Sequence, residues 1–175
     1  MRERGPAREP KTMNSVGRHH SFNSPALYAA LDARRRARGL SWQRAAGEIG
    51  VAASTLRRTE TAGPMETDGI LAMIRWLGCV PEEFIRGVDA ELLKTAQPAM
   101  GRFDSHALHQ ALEAHRRARG ITWRELAAET GIGPAGMLTR LEKGGRIGVN
   151  VMVAAVGYLS RTVASFTRDP RRNRP

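Results

Sequence analysis

Sliding the sequence on itself by 81 residues pairs FNSPALYAALDARRRARGLSWQRAAGEIG (22–50) with FDSHALHQALEAHRRARGITWRELAAETG (103–131). Between Phe22/Phe103 and Ser54/Ala135 there are 33 pairs, of which 16 are identical, among them Leu31/Leu112, Arg38/Arg119, Trp42/Trp123, Glu48/Glu129 and Gly50/Gly131. One extra residue in the second copy then moves the offset to 82, which pairs Leu56 with Leu138, Arg58 with Arg140, Glu60 with Glu142, Leu77 with Leu159 and Phe84 with Phe166. A repeat of this length is one structural unit used twice. Each unit, about 65 residues, can fold alone. The repeat thus divides the chain into a first domain at 21–86, a linker at 87–101 and a second domain at 102–167, flanked by arms at 1–20 and 168–175.

Within each copy the apolar spacing is helical throughout, so the expected class is all-α. Ser24 and Pro25 form an N-cap and first-turn pair; Leu27, Ala30, Leu31 and Ala37 follow, and Gly39 supplies a left-handed stop. Ser105 to Gly120 repeats this. A second helix begins after Ser41, and after Thr122, where Thr122 and Glu125 have the spacing of a capping box; it ends at Gly50 and Gly131. A third covers 53–61, and 134–143 with Pro134 in its first turn. The fourth covers 67–77 and 150–159, its apolar face made by Ile70, Leu71, Ile74 and Leu77. A short fifth follows Pro81 and, in the second copy, Thr162, and the linker carries a helix at 89–95. No stretch alternates as a strand does.

Charge says where to look for a partner. The chain holds 28 Lys and Arg against 17 Asp and Glu, a net charge of +11. More than half of the excess lies in the two Arg- and Pro-rich arms, +3 in 1–20 and +3 in 167–175. They read as disordered and suited to phosphate or minor-groove contact. Such a balance favours a polyanion, nucleic acid ahead of a membrane surface. The single cysteine excludes an internal disulfide framework and fits a reducing cytoplasm. The start lacks the apolar stretch of a secretion signal, and the longest apolar run, 149–159, is too short to span a bilayer.

The second and third helices carry the functional signal. In SWQRAAGEIGVAASTLRRTETAG (41–63), a small residue (Ala46) sits inside one helix, a glycine (Gly50) in the turn, and apolar anchors (Val51, Leu56) follow. Two helices crossing steeply over a short turn need those residue types, and the anchors leave one face of the next helix free for the major groove. ITWRELAAETGIGPAGMLTRLEKGG (121–145) has the same parts in Leu126, Ala127, Gly131, Ile132, Leu138 and Leu141. Both segments resemble the helix-turn-helix domain of the phage-repressor (Cro and lambda repressor), xenobiotic-response-element type, the second down to its Leu-Glu-Lys-Gly ending.

That resemblance covers roughly 22–86 and 103–167. It implies two tandem lambda-repressor-like five-helix domains and a sequence-specific, double-stranded-DNA-binding transcriptional regulator, a repressor by preference. Three departures stand out. Trp42 and Trp123 replace the family's usual glutamine, Thr59 sits where an apolar anchor belongs, and the extra residue falls in Gly133-Pro134-Ala135-Gly136.

On the first reading helix the outward positions are Ala53, Ser54, Thr55, Arg57 and Arg58. Arginine can fork onto guanine, and hydroxyls can serve bases or phosphates. The second offers Pro134, Ala135, Gly136, Thr139 and Arg140, poorer in base-reading groups, with Arg124, Lys143 and Arg146 as phosphate contacts and Gln43 as a further DNA contact in the first copy. Other readings are structural. The runs RRRAR (34–38) and HRRAR (115–119) end helices, where cations complement the dipole. Trp42 and Trp123 pack against helices, Glu60 and Glu142 partner a nearby arginine, His106 and His109 are a surface pair, not a metal site, and Cys79 is a small buried hydrophobe. No phosphate loop, nucleophile elbow, metalloprotease motif or carboxylate pair appears, so neither enzyme activity, cofactor nor small-molecule ligand is expected.

The regulator is expected at the bacterial or phage nucleoid in the cytoplasm, as a homodimer or an intramolecular pseudo-dimer. A competing expectation is a helical protein-interaction module, antitoxin-like or binding a polymerase or nuclease, with weak DNA binding.

Overall fold

The computed structural model describes residues 20–168. The arms expected at 1–20 and 168–175 lie, but for His20 and Arg168, outside the described residues. The structure is mostly helical, with nine α-helices and four two-residue strands among the described residues, and none of these helices is long and apolar enough to cross a membrane.

Two successive halves run through the same order of elements. In the first, β1 (Ser21–Phe22) leads to α1 (Ser24–Ala37), α2 (Trp42–Ile49), α3 (Ala53–Glu60), α4 (Thr67–Leu77), a 3-10 turn at Pro81–Phe84 and β2 (Ile85–Arg86). A connector helix, α5 (Ala90–Thr95), follows. The second half has β3 (Arg102–Phe103), α6 (Ser105–Arg119), α7 (Trp123–Thr130), α8 (Ala135–Arg140) with a 3-10 turn at Leu141–Lys143, α9 (Val149–Tyr158), a 3-10 turn at Val163–Phe166 and β4 (Thr167–Arg168).

The first helix of each half is capped one residue earlier than expected. The Asn23 side chain accepts from the Ala26 amide and Asp104 from the Ala107 amide at 3.0 Å, so Ser24 and Ser105 lie inside the first turn, both buried. Ser105 instead donates its hydroxyl to the Gly145 carbonyl at 2.8 Å. The fifth helices are replaced by single 3-10 turns. The chain must go extended at once to pair Phe22 with Ile85 and Phe103 with Thr167, antiparallel. Each half is thereby clasped end to start, an edge too short to register as a strand pattern.

Side chains spaced for helices meet in one apolar cluster running through both halves. Leu27, Leu31, Leu56, Ile70, Leu71 and Ile74 fill it from the first half, and Leu108, Leu112, Leu126, Leu138, Met152 and Val153 from the second, each essentially sealed from solvent. Burying side chains of this size contributes about 1.5–3 kcal/mol each. Thr59 joins them, wholly buried where an apolar anchor was expected; its hydroxyl donates to the Leu56 carbonyl at 2.5 Å, so no polar atom is stranded. Cys79 is half-buried, and burial pushes its thiol up from the usual range.

The halves join along a seam whose two sides are equivalent. The Thr67 amide donates to the Ile147 carbonyl at 3.0 Å, and the Val149 amide donates to the Met65 carbonyl at 2.9 Å, around an antiparallel bridge between Glu66 and Gly148. Under the 82-residue offset, Thr67 corresponds to Val149, Met65 to Ile147 and Glu66 to Gly148. Exchanging the halves therefore maps these bonds onto each other, the signature of a local twofold axis between Glu66 and Gly148. α4 packs on α9, β1 on α9 and β3 on α4 in the same sense.

Elsewhere the seam is unequal. Arg75 donates to the Ala99 and Gly101 carbonyls, whereas its counterpart Gly157 lies under the His20 ring, which leaves no room for a Cβ. Glu82 accepts from the Val163 amide at 2.7 Å. In the mirrored position Pro81 has no amide proton and Ala164 no acceptor.

Candidate nucleic-acid interface

Ser41 starts α2 by accepting from the Arg44 amide at 3.2 Å. Gly50 ends it at φ 82°, a left-handed conformation that glycine adopts without steric cost, and the Gly50 and Val51 amides both donate to the Ala46 carbonyl. Ala52 is extended, and α3 starts after this three-residue turn. Ala45 and Ala46 on α2, and Leu56 and Thr59 on α3, are all buried where the two helices pack. Fixing those anchors turns Ser54, Arg57 and Arg58 to solvent, with Ala53 and Thr55 half-buried and Gln43 exposed on α2.

The second half repeats the arrangement with different chemistry. Thr122 and Glu125 form the capping box: the Glu125 amide donates to the Thr122 hydroxyl at 3.2 Å, and the Thr122 amide donates to the Glu125 carboxylate at 2.7 Å. That amide, with the Thr122 hydroxyl, holds the Glu125 carboxyl below its ordinary range. Gly131 turns the chain, and Ile132 is buried as an anchor. The extra residue makes Pro134 the N-cap, not a member of the first turn, and α8 keeps only six α-helical residues before tightening into 3-10 geometry. Leu138 and Leu141 face in; Pro134, Gly136, Met137, Thr139, Arg140 and Lys143 face out, with Ala135 half-buried.

The arginines separate into two populations. Those of the basic runs are occupied within the fold. Arg34 donates to the Leu77 carbonyl at 3.1 Å; Arg35 donates to Asp32 and the Leu40 carbonyl, with its guanidinium over Trp42; Arg36 pairs with Asp32. Arg116 and Arg117 both pair with Glu113, whose carboxyl they hold down to about 2, Arg116 foremost. Arg38 meets Glu48 at 2.5 Å, and Glu48 also accepts from the Trp76 indole at 2.9 Å. Arg119, Glu129 and Tyr158 repeat that triad. The indole, then Arg38, keeps the Glu48 carboxyl low; Arg119, then Tyr158, does so for Glu129. Burial and the hydrogen bond to Glu129 push the Tyr158 phenol up to about 12.

By contrast, Arg44, Arg57, Arg58, Arg124, Arg140 and Lys143 are exposed on α2, α3, α7, α8 and the turn after it. Among the described residues none of their side chains has an ion-pair or hydrogen-bond partner. Arg146 differs from the expected phosphate contact in that it reaches across the seam to Glu66 at 3.3 Å. That pair is exposed and holds about 0–1 kcal/mol, so the guanidinium stays available at small cost. Glu60 and Glu142, expected to pair with arginines, have no ion-pair partner among the described residues; the pairs with Arg38 and Arg119 are made by Glu48 on α2 and Glu129 on α7.

Both tryptophans pack. Trp42 stacks on Tyr28 at 5.2 Å between ring centroids, and Trp123 on His109 at 5.0 Å. His106 sits with Nδ1 2.7 Å from the Glu142 carbonyl and Nε2 3.0 Å from the Gln110 amide. No three metal-ligating side chains converge among the described residues. Two residues of this candidate face are not legible in the sequence. Arg44 corresponds to Glu125 in the second copy, which hid it. Met137 is apolar and reads as core until the burial of Leu138 and Leu141 fixes which face it occupies.

A crevice of about 290 Å³ runs beside α3, where Thr55 and Arg58 face Met65 and Glu66. A second, of about 150 Å³, lies on the seam between Glu66, Asp68, Arg102 and Arg146. Comparison with protein-family models, with curated proteins and with solved structures finds no match to this chain.

Proposed function

We propose that the chain is a sequence-specific, double-stranded-DNA-binding transcriptional regulator, a repressor, made of two tandem helix-turn-helix units that act as an intramolecular pseudo-dimer. The observation that carries this reading is the seam. The bridge at Glu66 and Gly148 is mapped onto itself by exchange of the halves, and in our reading its local twofold axis extends to α3 and α8. A duplex has the same local symmetry, so two helices related in this way suit inverted half-sites rather than direct repeats.

The free cations support the reading further. They gather on the segments carrying α3 and α8, while comparable arginines on α1 and α6 are neutralised by Asp32, Glu48, Glu113 and Glu129. Arg57 and Arg58 are the residues for forked contact with guanine, and Arg44, Arg124, Arg140 and Lys143 those for phosphate. The protein acts by occupying DNA, with no catalytic step, at the nucleoid.

The test is an in vitro selection of the full chain on random duplex DNA at two salt concentrations. Two enriched blocks in inverted orientation, centred about one helical turn (~10.5 base pairs) or a multiple apart, are the expected result. Blocks in direct orientation would overturn the twofold arrangement. Binding that enriches nothing and vanishes as salt rises would reduce the DNA role to charge and favour the interaction module.

A further inference from the structure

We propose that the two halves read their half-sites by different chemistry, and that Met137 recognises thymine 5-methyl groups in the half-site beneath α8. This rests on the DNA-binding reading above and adds to it the bases that each half selects.

The outward faces of the two helices are unlike at equivalent positions. α3 presents Ser54, Thr55, Arg57 and Arg58, and neither hydroxyl of Ser54 or Thr55 is engaged within the described residues. The corresponding residues of α8 are Gly136, Met137, Thr139 and Arg140. Gly136 has no side chain, and the Thr139 hydroxyl donates back to the Gly136 carbonyl at 3.1 Å. What α8 adds is apolar. Met137 is 38% exposed, although Leu138 beside it is sealed. Among the described residues the other exposed large hydrophobic side chains are Leu93 and Met100, both in the connector.

Met137 also points the right way. A Cβ built on Gly133 would stand 3.9 Å from the Met137 Cε, so the side chain leans back over the turn that enters α8. That N-terminal end is the part of a reading helix that meets base edges. In the major groove the thymine methyl is the apolar group displayed. Against it a thioether loses no hydrogen bond, whereas over a G·C pair it would leave donors and acceptors uncovered. The surroundings argue for this occupant over a protein. Arg140 and Lys143, three and six residues further on, are exposed, and one apolar side chain beside free cations suits a polyanion with a methyl group better than an apolar partner surface.

The operator that follows is symmetric in backbone and asymmetric in bases. Its half-site under α3 holds guanine, and the half-site under α8 holds thymine.

The experiment uses the full-length chain and its selected duplex, with dT replaced by dU in one half-site at a time, so that only methyl groups are lost. For the wild type, affinity is expected to fall about fourfold per contacted methyl in one half-site and not in the other. Met137→Ala, exposed and so expected to melt as the wild type does, should bind dT and dU duplexes equally; Met137→Leu should restore part of the discrimination. Equal losses on dU for wild type and Met137→Ala, or no loss for either, would overturn the inference while leaving the regulator intact. A selection that enriches no sequence at all would instead overturn the reading on which it rests.

Discussion

Removing the same charge from two different surfaces separates specific placement of cations from bulk attraction. Arg124→Ala, Arg140→Ala and Lys143→Ala together lower the net charge from +11 to +8. So do Arg36→Ala, Lys94→Ala and Arg117→Ala, whose side chains are 74%, 69% and 73% exposed but paired with Asp32, Glu91 and Glu113. Each phosphate contact contributes about 0.9 to the slope of log K against log salt concentration. If the four cations assigned to phosphate, Arg44, Arg124, Arg140 and Lys143, all meet it, they supply a slope of about −3.6. Removing three of them should flatten it by about 2.7, and removing the three paired cations should leave it nearly unchanged. Fluorescence anisotropy on the selected duplex between ~50 and ~200 mM salt reads both. Residues outside 20–168 are identical in the two variants and cancel. If the paired set flattens the slope as much as the free set, cation placement does not matter and the interface argued from α3 and α8 fails.

Three further outcomes test the fold that holds this surface. Glu82 is sealed from solvent and burial raises its carboxyl above the usual range, so the native state favours the protonated form and loses stability as pH rises through that raised value. Glu82→Gln, which keeps an oxygen for the Val163 amide, should raise the melting temperature at neutral pH and give no gain below about pH 4; equal gains at both would exclude charge burial as the cause. Alkaline titration followed by near-ultraviolet absorbance should show Tyr158 ionising at about 12, and Glu129→Gln should bring that transition down; an unmoved transition would break the proposed triad. Leu56→Ala and Leu138→Ala, both at full burial, should each cost about 2–5 kcal/mol in denaturant unfolding. A cost well under 1 kcal/mol at either would place that anchor outside the core.

What the sequence made legible was mostly local. α1 to α4 and their second-half counterparts start and stop within a residue or two of the expected positions, except that α8 tightens into 3-10 geometry three residues before its expected end, because caps, glycine stops and apolar spacing act over a single turn. The Thr122–Glu125 box is such a signal. The caps at Asn23 and Asp104 were missed because Ser24-Pro25 imitates a cap and Ser105 repeats its serine, and only the Ser105 bond to Gly145 shows what the hydroxyl does instead. Thr59 looked like a flaw because an apolar pattern does not count a hydroxyl satisfied by a carbonyl three residues back. Long-range contacts were out of reach. Glu48 finds Arg38 on another helix, and Glu82 finds Val163 across the seam, although the identity of Arg38/Arg119 and Glu48/Glu129 in both copies was a signal that could have been used. The outward positions on α3 and α8 followed from the anchors. The use of Arg146 at the seam and the exposure of Met137 needed the packed structure.

The seam at Glu66 and Gly148 also bears on dosage. Two separate subunits must first find each other, so the amount of a dimer falls with the square of subunit concentration when protein is scarce. Here the partner is attached to the same backbone, and the pairing is as complete at one copy per cell as at a thousand. For the proposed regulator, occupancy of a single site would follow a simple hyperbola, with neither a threshold nor an all-or-none rise. A fluctuation in expression would be passed on in proportion, not amplified. The attachment also frees each half to change alone. A substitution in a homodimer appears twice, on both sides of its axis; here Arg57 and Thr139, or Arg75 and Gly157, could diverge because every chain carries one of each.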